Sequence, residues 1–93
     1  MKLNPDFILQ EMGGEAVLVP TGEAAKRFRG IVRLNETAAF IVERLRDDTD
    51  AEALVDALAA EYEGTREQFA RSVELTLTQL REIGALIEGK ENA

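Results

Sequence analysis

The side chains that most often perform chemistry are missing from this sequence. It contains no histidine and no cysteine, so the commonest general base, the thiol nucleophile and the usual zinc ligands are absent. Carboxylates are plentiful, but Asp47, Asp48 and Asp50 lie where a helix is predicted to begin, and others follow polar helix faces. Gly13-Gly14 is too short for a phosphate-binding loop and lacks the Lys and Ser/Thr that such a loop needs. We therefore expect no enzymatic activity, no cofactor and no metal.

The charge balance limits the possible partners. Eighteen acidic and eleven basic residues give a net charge of −7, which opposes binding to nucleic acid and to an anionic membrane surface. No apolar run approaches the length of a membrane span, and the opening MKLNPDF lacks the core of a signal peptide. With no cysteine available for disulfides, a cytoplasmic location is expected.

The first third of the chain has the pattern of a small sheet. Three strands are predicted, at Phe7–Met12, Glu15–Val19 and Ile31–Leu34. Gly13-Gly14 predicts a tight hairpin between the first two, because both glycines accept a positive φ. Met1–Pro5 is predicted as a lead-in segment and Glu23–Arg29 as a loop.

Three helices are predicted after the sheet. Asn35 is the expected N-cap of the first, and the pairs Thr49/Glu52 and Thr65/Gln68 are typical capping boxes for the second and third. Gly64 and Gly84 are expected to end these two helices. Residues 85–87 are predicted to pack back on the domain, and 88–93 to form a flexible tail. The prediction is one α+β domain over residues 1–93, in which a three-stranded antiparallel sheet precedes a three-helix bundle, as in a winged helix-turn-helix.

One residue of the long helix indicates a binding surface. At 100° per residue, Leu75 lies well away from the apolar stripe through Phe69, Val73 and Leu80. Gln79 lies near Leu75 on the same face, and Arg71 is a further candidate. An off-stripe leucine is more often simply exposed than functional, but it could also line a groove beside the sheet.

Several segments together resemble a known family. Leu34 to Ile41, LNETAAFI, is similar to the L-N-x-T-A/G-x-x-I/L segment of the PqqD-like proteins. The supporting segments are the GGE hairpin with VLVPTGEAA, then LVDALAAEYEGT, then LREIGALIE. These proteins are also called RiPP recognition elements, because they bind leader peptides of ribosomally made, post-translationally modified peptides.

The resemblance implies a function and a site. The leader peptide would add as an extra strand to the third strand, in a cleft beside the third helix, and would be presented to a modifying enzyme such as a radical SAM protein. The implied peptide-binding residues are Ile31, Val32, Arg33, Leu34, Arg71, Leu75 and Gln79. Asn35 and Thr37 are interpreted as capping and packing residues.

Two other functions fit the predicted fold. A winged helix could bind DNA, although Arg66, Arg71 and Arg81 of the long helix alternate with glutamates and form no basic stripe. The open edge of the third strand could instead pair with a second copy, giving a structural homodimer.

Overall fold

The computed structural model describes residues 1–88 and has an α+β architecture. The elements are β1 (Lys2–Leu3), β2 (Phe7–Met12), β3 (Glu15–Pro20), α1 (Gly22–Arg27), β4 (Val32–Leu34), α2 (Glu36–Arg44), α3 (Ala51–Glu61), α4 (Arg66–Glu82) and β5 (Leu86–Ile87). The predicted antiparallel sheet, in the order β2-β3-β4, is confirmed, and so is the succession of three helices after it. No helix within residues 1–88 is long and apolar enough to cross a membrane.

The hairpin between β2 and β3 forms as predicted. Gly13 and Gly14 have φ values of 60° and 83°, the two positive angles that a type I′ turn requires. The turn places Met12 opposite Glu15 and sets the register of the whole ladder. The middle strand of the sheet is therefore β3, and β4 lies at its edge.

The core lies between the sheet and the last three helices. Its fully buried members are mostly aliphatic, including Leu18 from β3, Ile41 from α2, Leu58 from α3 and Leu77 from α4. Their spacing along each helix produces one buried stripe per helix, as the sequence pattern predicts. Burial of these stripes holds α4 in a fixed position beside the sheet.

Side-chain caps define where the helices begin. The Asn35 side chain accepts a hydrogen bond from the N–H of Ala38 at 2.8 Å, so this predicted N-cap is confirmed. Thr65 and Gln68 form the predicted capping box of α4. The predicted Thr49 cap is wrong by one residue, because Asp50 accepts the bond from Ala53 at 2.8 Å.

The ends of α3 and α4 differ. At α4, the N–H of Gly84 donates to Arg81 and the N–H of Ala85 donates to Leu80, which is a Schellman motif. The predicted stop at Gly84 is thus confirmed. The helix α3 ends earlier than predicted, at Glu61, in front of an extended Tyr62. Gly64 is nevertheless constrained, since an added Cβ would lie 3.1 Å from the Phe69 ring.

Three further predictions are corrected by the structure. The expected loop at Glu23–Arg29 is largely the short helix α1, whose only buried residue is Ala24 and whose N-cap Thr21 makes no capping bond. Neither an apolar stripe nor a cap therefore marks it in the sequence. The lead-in segment contains β1, which pairs with β5. The third strand begins at Val32 rather than Ile31.

The C-terminal segment is described as far as Glu88. The strand β5 and the buried Ala85 confirm that residues 85–87 pack back on the domain. The carboxylate of Glu88 accepts a hydrogen bond from Arg81 Nε at 2.8 Å. The rest of the predicted flexible tail, residues 89–93, lies outside the described residues.

Candidate functional site

The edge strand β4 has one paired side and one open side. It pairs antiparallel with β3, with Ala16 opposite Leu34 and Leu18 opposite Val32. No other strand within residues 1–88 lies on its far side. The main-chain groups on that side are available to an incoming strand.

The hydrogen-bond alternation of the sheet identifies which groups point outward. Bonded and non-bonded pairs alternate along an antiparallel ladder, and the two-residue loop of the hairpin closes on a bonded pair, Met12 and Glu15. At the other end of the same ladder, the N–H of Thr21 donates to the carbonyl of Asp6 at 2.7 Å. Both ends give the same alternation, in which Val17 directs its N–H and C=O at β2.

The residues of β3 on either side of Val17 must then direct their N–H and C=O groups at β4. In an antiparallel sheet the N–H and C=O of one residue point to the same side, and those of the next residue point to the other. Ala16 and Leu18 therefore face β4 and pair with Leu34 and Val32. It follows that Arg33 directs both its N–H and its C=O at the open edge.

The side chain of Arg33 lies apart from this edge contact. Its Nε is 3.4 Å from Glu15 Oε1, and both side chains are well exposed. Glu15 lies two residues from Val17, the partner of Arg33, so this ion pair lies on the outer face of the sheet. What Arg33 supplies at the edge is its main chain.

Beside the open edge, β4 and α4 enclose a cleft with two adjoining hollows. The apolar hollow, about 190 Å³, is lined by Val32, Leu34, Thr76, Gln79, Leu80, Glu82 and Ile83. The polar hollow, about 280 Å³, is lined by Arg33, Asn35, Thr37, Ala38, Ser72, Leu75, Thr76 and Gln79. Thr76 and Gln79 belong to both hollows, so the two form one continuous cleft along α4.

The structure brings most of the predicted site residues together. Val32, Leu34 and Gln79 line the cleft, and Arg33 borders it. Leu75 lies at the rim with 63% of its surface exposed, as expected of an off-stripe residue.

Two predicted site residues lie outside these hollows. Ile31 precedes β4 and is 44% exposed, and Arg71 lies on an exposed part of α4. Neither lines the hollows described above. Their role in peptide binding stays a prediction.

Of the polar groups in the cleft, the sequence patterns predicted Gln79 as a site residue but not Thr76. The side chains of Thr37, Ser72, Thr76 and Gln79 have no hydrogen-bond partner within residues 1–88. Thr76 is only 6% exposed. A signal for it exists, because seven residues after Phe69 it falls within the apolar stripe, where a hydroxyl is out of place.

A larger hollow, of about 320 Å³, lies beside β2, the other edge strand of the sheet. It is lined by Lys2, Leu3, Pro5, Phe7, Ile8 and Arg46. The N–H of Phe7 is already donated to the carbonyl of Asn4 at 2.9 Å, so the strand offers no free donor where this hollow meets it. The cleft at β4 is the better candidate for binding an extended peptide.

Acidic groups and one tyrosine outside the cleft are the other candidates for a site. Within residues 1–88 no group of three or more acidic side chains is arranged to hold a metal ion. Desolvation raises the pKa of Tyr62, and the Glu36 carboxylate, which accepts its hydrogen bond at 3.3 Å, raises that pKa further. The ring of Tyr62 packs edge-on against Phe40 at 5.5 Å, and neither aromatic residue lines either hollow.

Comparisons with known proteins identify one matching family and two similar solved structures. The family model described as coenzyme PQQ synthesis protein D (PqqD) matches residues 15–86. A lasso peptide synthetase B1 solved in complex with its leader peptide is 29% identical, with a TM-score of 0.72 over 94% of this chain and 96% of that one. TbiB1, solved in complex with the TbiA(beta) leader peptide, is 22% identical, with a TM-score of 0.76 over 98% and 100% of the two chains, and supports the fold. Comparison with curated protein sequences finds no significant match.

Proposed function

The chain belongs to the PqqD family, and on that premise we propose that it binds the leader segment of a ribosomally made precursor peptide and presents it to a modifying enzyme. The observation that carries the proposal is the open edge of β4 beside the cleft. Unpaired main-chain groups next to pockets for side chains are what strand addition requires. The two similar structures bound to leader peptides lend further support.

In the proposed complex the peptide becomes a fourth strand of the sheet. Its main chain bonds to the N–H and C=O of Arg33, and alternate side chains enter the cleft against α4. Ile31 and Arg71 would contact the peptide where it continues beyond the hollows. The domain supplies binding and orientation, and the reaction belongs to the enzyme that receives the peptide.

The family resemblance favours a radical SAM protein as that enzyme and the cytoplasm as the place where the two proteins meet. A lasso peptide system is the alternative, because one similar structure is a lasso peptide synthetase B1. The genes beside this one distinguish the two, because the modifying enzyme is expected to be encoded there together with a short precursor peptide.

The charges of α4 favour a peptide over DNA. Arg66 lies 2.8 Å from Asp56, and Arg81 lies 2.8 Å from Glu88. Two of the three arginines on this helix are thus engaged with carboxylates. A recognition helix for DNA instead needs cations free to meet phosphates.

Calorimetric titration tests the proposal. The titrant is the leader segment of a precursor encoded beside this gene, and a scrambled version of the same peptide is the control. Saturable binding of the leader alone supports the proposal. No binding, together with salt-sensitive binding to duplex DNA, would favour the winged-helix alternative. A dimer in light scattering that the leader does not dissociate would favour a structural homodimer.

A further inference from the structure

The geometry points to a pattern of two side chains in the bound peptide. We propose that a bulky apolar side chain occupies the apolar hollow and that, two residues away, an uncharged hydroxyl or amide side chain occupies the polar hollow. This inference rests on the proposed function and adds to it a statement of which peptides are selected.

The first support is the spacing of the hollows. Val32 and Leu34 both face α4, because they alternate with Arg33 along the strand. Alternate residues of an added strand follow the same pleat and lie about 6.7 Å apart. The long helix lines the polar hollow from Ser72 to Gln79, and the apolar hollow is lined from Thr76 to Ile83. The offset is four residues, about one turn, which is about 6 Å at 1.5 Å per residue. The hollows are thus spaced for residues i and i+2 of one strand.

The second support is the chemistry of the apolar hollow. Four aliphatic side chains, Val32, Leu34, Leu80 and Ile83, form most of its lining. Removing an apolar surface from water against such a lining is favourable, whereas a polar group there would lose its hydration. This hollow therefore selects an aliphatic or aromatic side chain.

The third support is an unpaired buried hydroxyl in the shared wall. The Thr76 side chain is 6% exposed and has no hydrogen-bond partner within residues 1–88. Buried polar groups in proteins nearly always have a partner, and leaving one unpaired is unfavourable. A peptide hydroxyl or amide in the polar hollow could pair with Thr76, and Ser72 and Gln79 line the same space.

An apolar side chain in the polar hollow would leave this hydroxyl unpaired and cover it further. A carboxylate would have to lose its hydration beside the uncharged Ser72, Thr76 and Gln79, because the one cation of the lining, Arg33, directs its side chain to Glu15 on the outer face of the sheet. The polar hollow therefore discriminates against both classes. The order of the two peptide residues depends on whether the peptide runs parallel or antiparallel to β4.

Selection from a display library of random decapeptides tests the pattern with the unmodified protein. We expect the selected peptides to carry an aliphatic or aromatic residue at one position and Ser, Thr, Asn or Gln two positions away. Apolar or charged residues at both positions, or no pattern of period two, would overturn the inference while leaving peptide binding intact. Failure to select any peptide would overturn the proposed function and this inference together.

A conservative variant tests the role of the hydroxyl. Thr76→Val replaces the hydroxyl with a methyl group of similar size. It should reduce the preference for the polar residue over valine at the same peptide position by about 5- to 150-fold, the range for leaving one buried polar group unpaired. Thr78→Val is the matched control, since Thr78 is exposed on the same helix and lines neither hollow. An unchanged preference in Thr76→Val would remove Thr76 from recognition.

The melting temperature of the peptide-free variant is a second readout. If the hydroxyl has no partner in the free protein, Thr76→Val should melt at the same temperature as the unmodified protein or higher. A clear fall in melting temperature, with Thr78→Val unaffected, would mean that the hydroxyl is already paired within the fold. That result would overturn the assignment even if peptides still bind.

Discussion

Proline substitution in β4 tests whether the main-chain N–H groups of Arg33 and Val32 point in opposite directions. Proline removes the N–H of the residue it replaces and is tolerated mainly at sheet edges. The register assigns the N–H of Val32 to the bond with Leu18 and that of Arg33 to the open edge. Val32→Pro should therefore damage the fold, whereas Arg33→Pro should damage only peptide binding.

The expected magnitudes follow from what each substitution removes. Val32→Pro loses one ladder bond and leaves the carbonyl of the fully buried Leu18 unpaired, which costs about 1–3 kcal/mol. Arg33→Pro loses only the exposed ion pair with Glu15, worth about 0–1 kcal/mol. The difference of about 1–2 kcal/mol corresponds to roughly 5–15 °C in melting temperature for a domain of this size.

Thermal unfolding and peptide affinity are measured for both proline variants, Val32→Pro and Arg33→Pro. Val32→Ala and Arg33→Ala are the matched controls, because each removes most of the side chain and keeps the N–H. Arg33→Ala should bind peptide nearly normally, and Arg33→Pro at least about tenfold more weakly, as expected when a main-chain bond is lost in a desolvated site. Amide exchange in the unmodified protein gives an independent readout, since the Arg33 amide should become protected only when peptide is added.

Several results would refute this reasoning. If Val32→Pro is as stable as Val32→Ala, the hydrogen-bond alternation has been assigned the wrong way round. If Arg33→Pro is folded and binds peptide as well as Arg33→Ala does, strand addition at β4 is wrong. An Arg33 amide protected equally with and without peptide would lead to the same conclusion.

Four further predictions concern the cleft, the caps and the charge. Leu75→Glu should weaken peptide binding while changing stability by less than about 1 kcal/mol, because the residue is largely exposed; Thr78→Glu is the control, and equal affinities for the two variants would remove Leu75 from the site. Asn35→Ala should cost about 0.5–2 kcal/mol in denaturant unfolding through the lost cap. Although Asn35 lines the polar hollow, its side-chain oxygen is engaged by Ala38, so peptide affinity should change little while the domain stays folded; a large affinity loss at intact stability would give Asn35 a binding role. Gly84→Ala should cost about 1 kcal/mol, since φ is +75° with open space around the position; an unchanged melting temperature would contradict this explanation of the helix end. Association with a basic leader should slow as the salt concentration rises, because the chain carries a charge of −7. Association rates in stopped-flow measurements that do not depend on salt would argue against electrostatic steering.

Local sequence patterns predict the elements that carry their own signals. The paired glycines, Asn35 and the Thr65/Gln68 box each act over a few residues, so residue types alone are enough to recognise them. The helix α1 has no such signal, because only one of its residues, Ala24, is buried and the Thr21 hydroxyl donates to the carbonyl of Asp6 instead of capping the helix. The pairing of β1 with β5 joins distant parts of the chain, and no local pattern encodes it.

The sequence by itself determines that this is a small aliphatic domain without histidine or cysteine, and its motifs indicate the family. It also places Leu75 off the core stripe, because helical periodicity needs only residue spacing. Tertiary structure decides which amide of β4 is free, since that depends on the register of β4 against β3 and of β3 against its hairpin partner. It also decides that Thr76, one polar residue in an apolar stripe, lies buried at the junction of two hollows, because only the packing of α4 beside β4 creates that space.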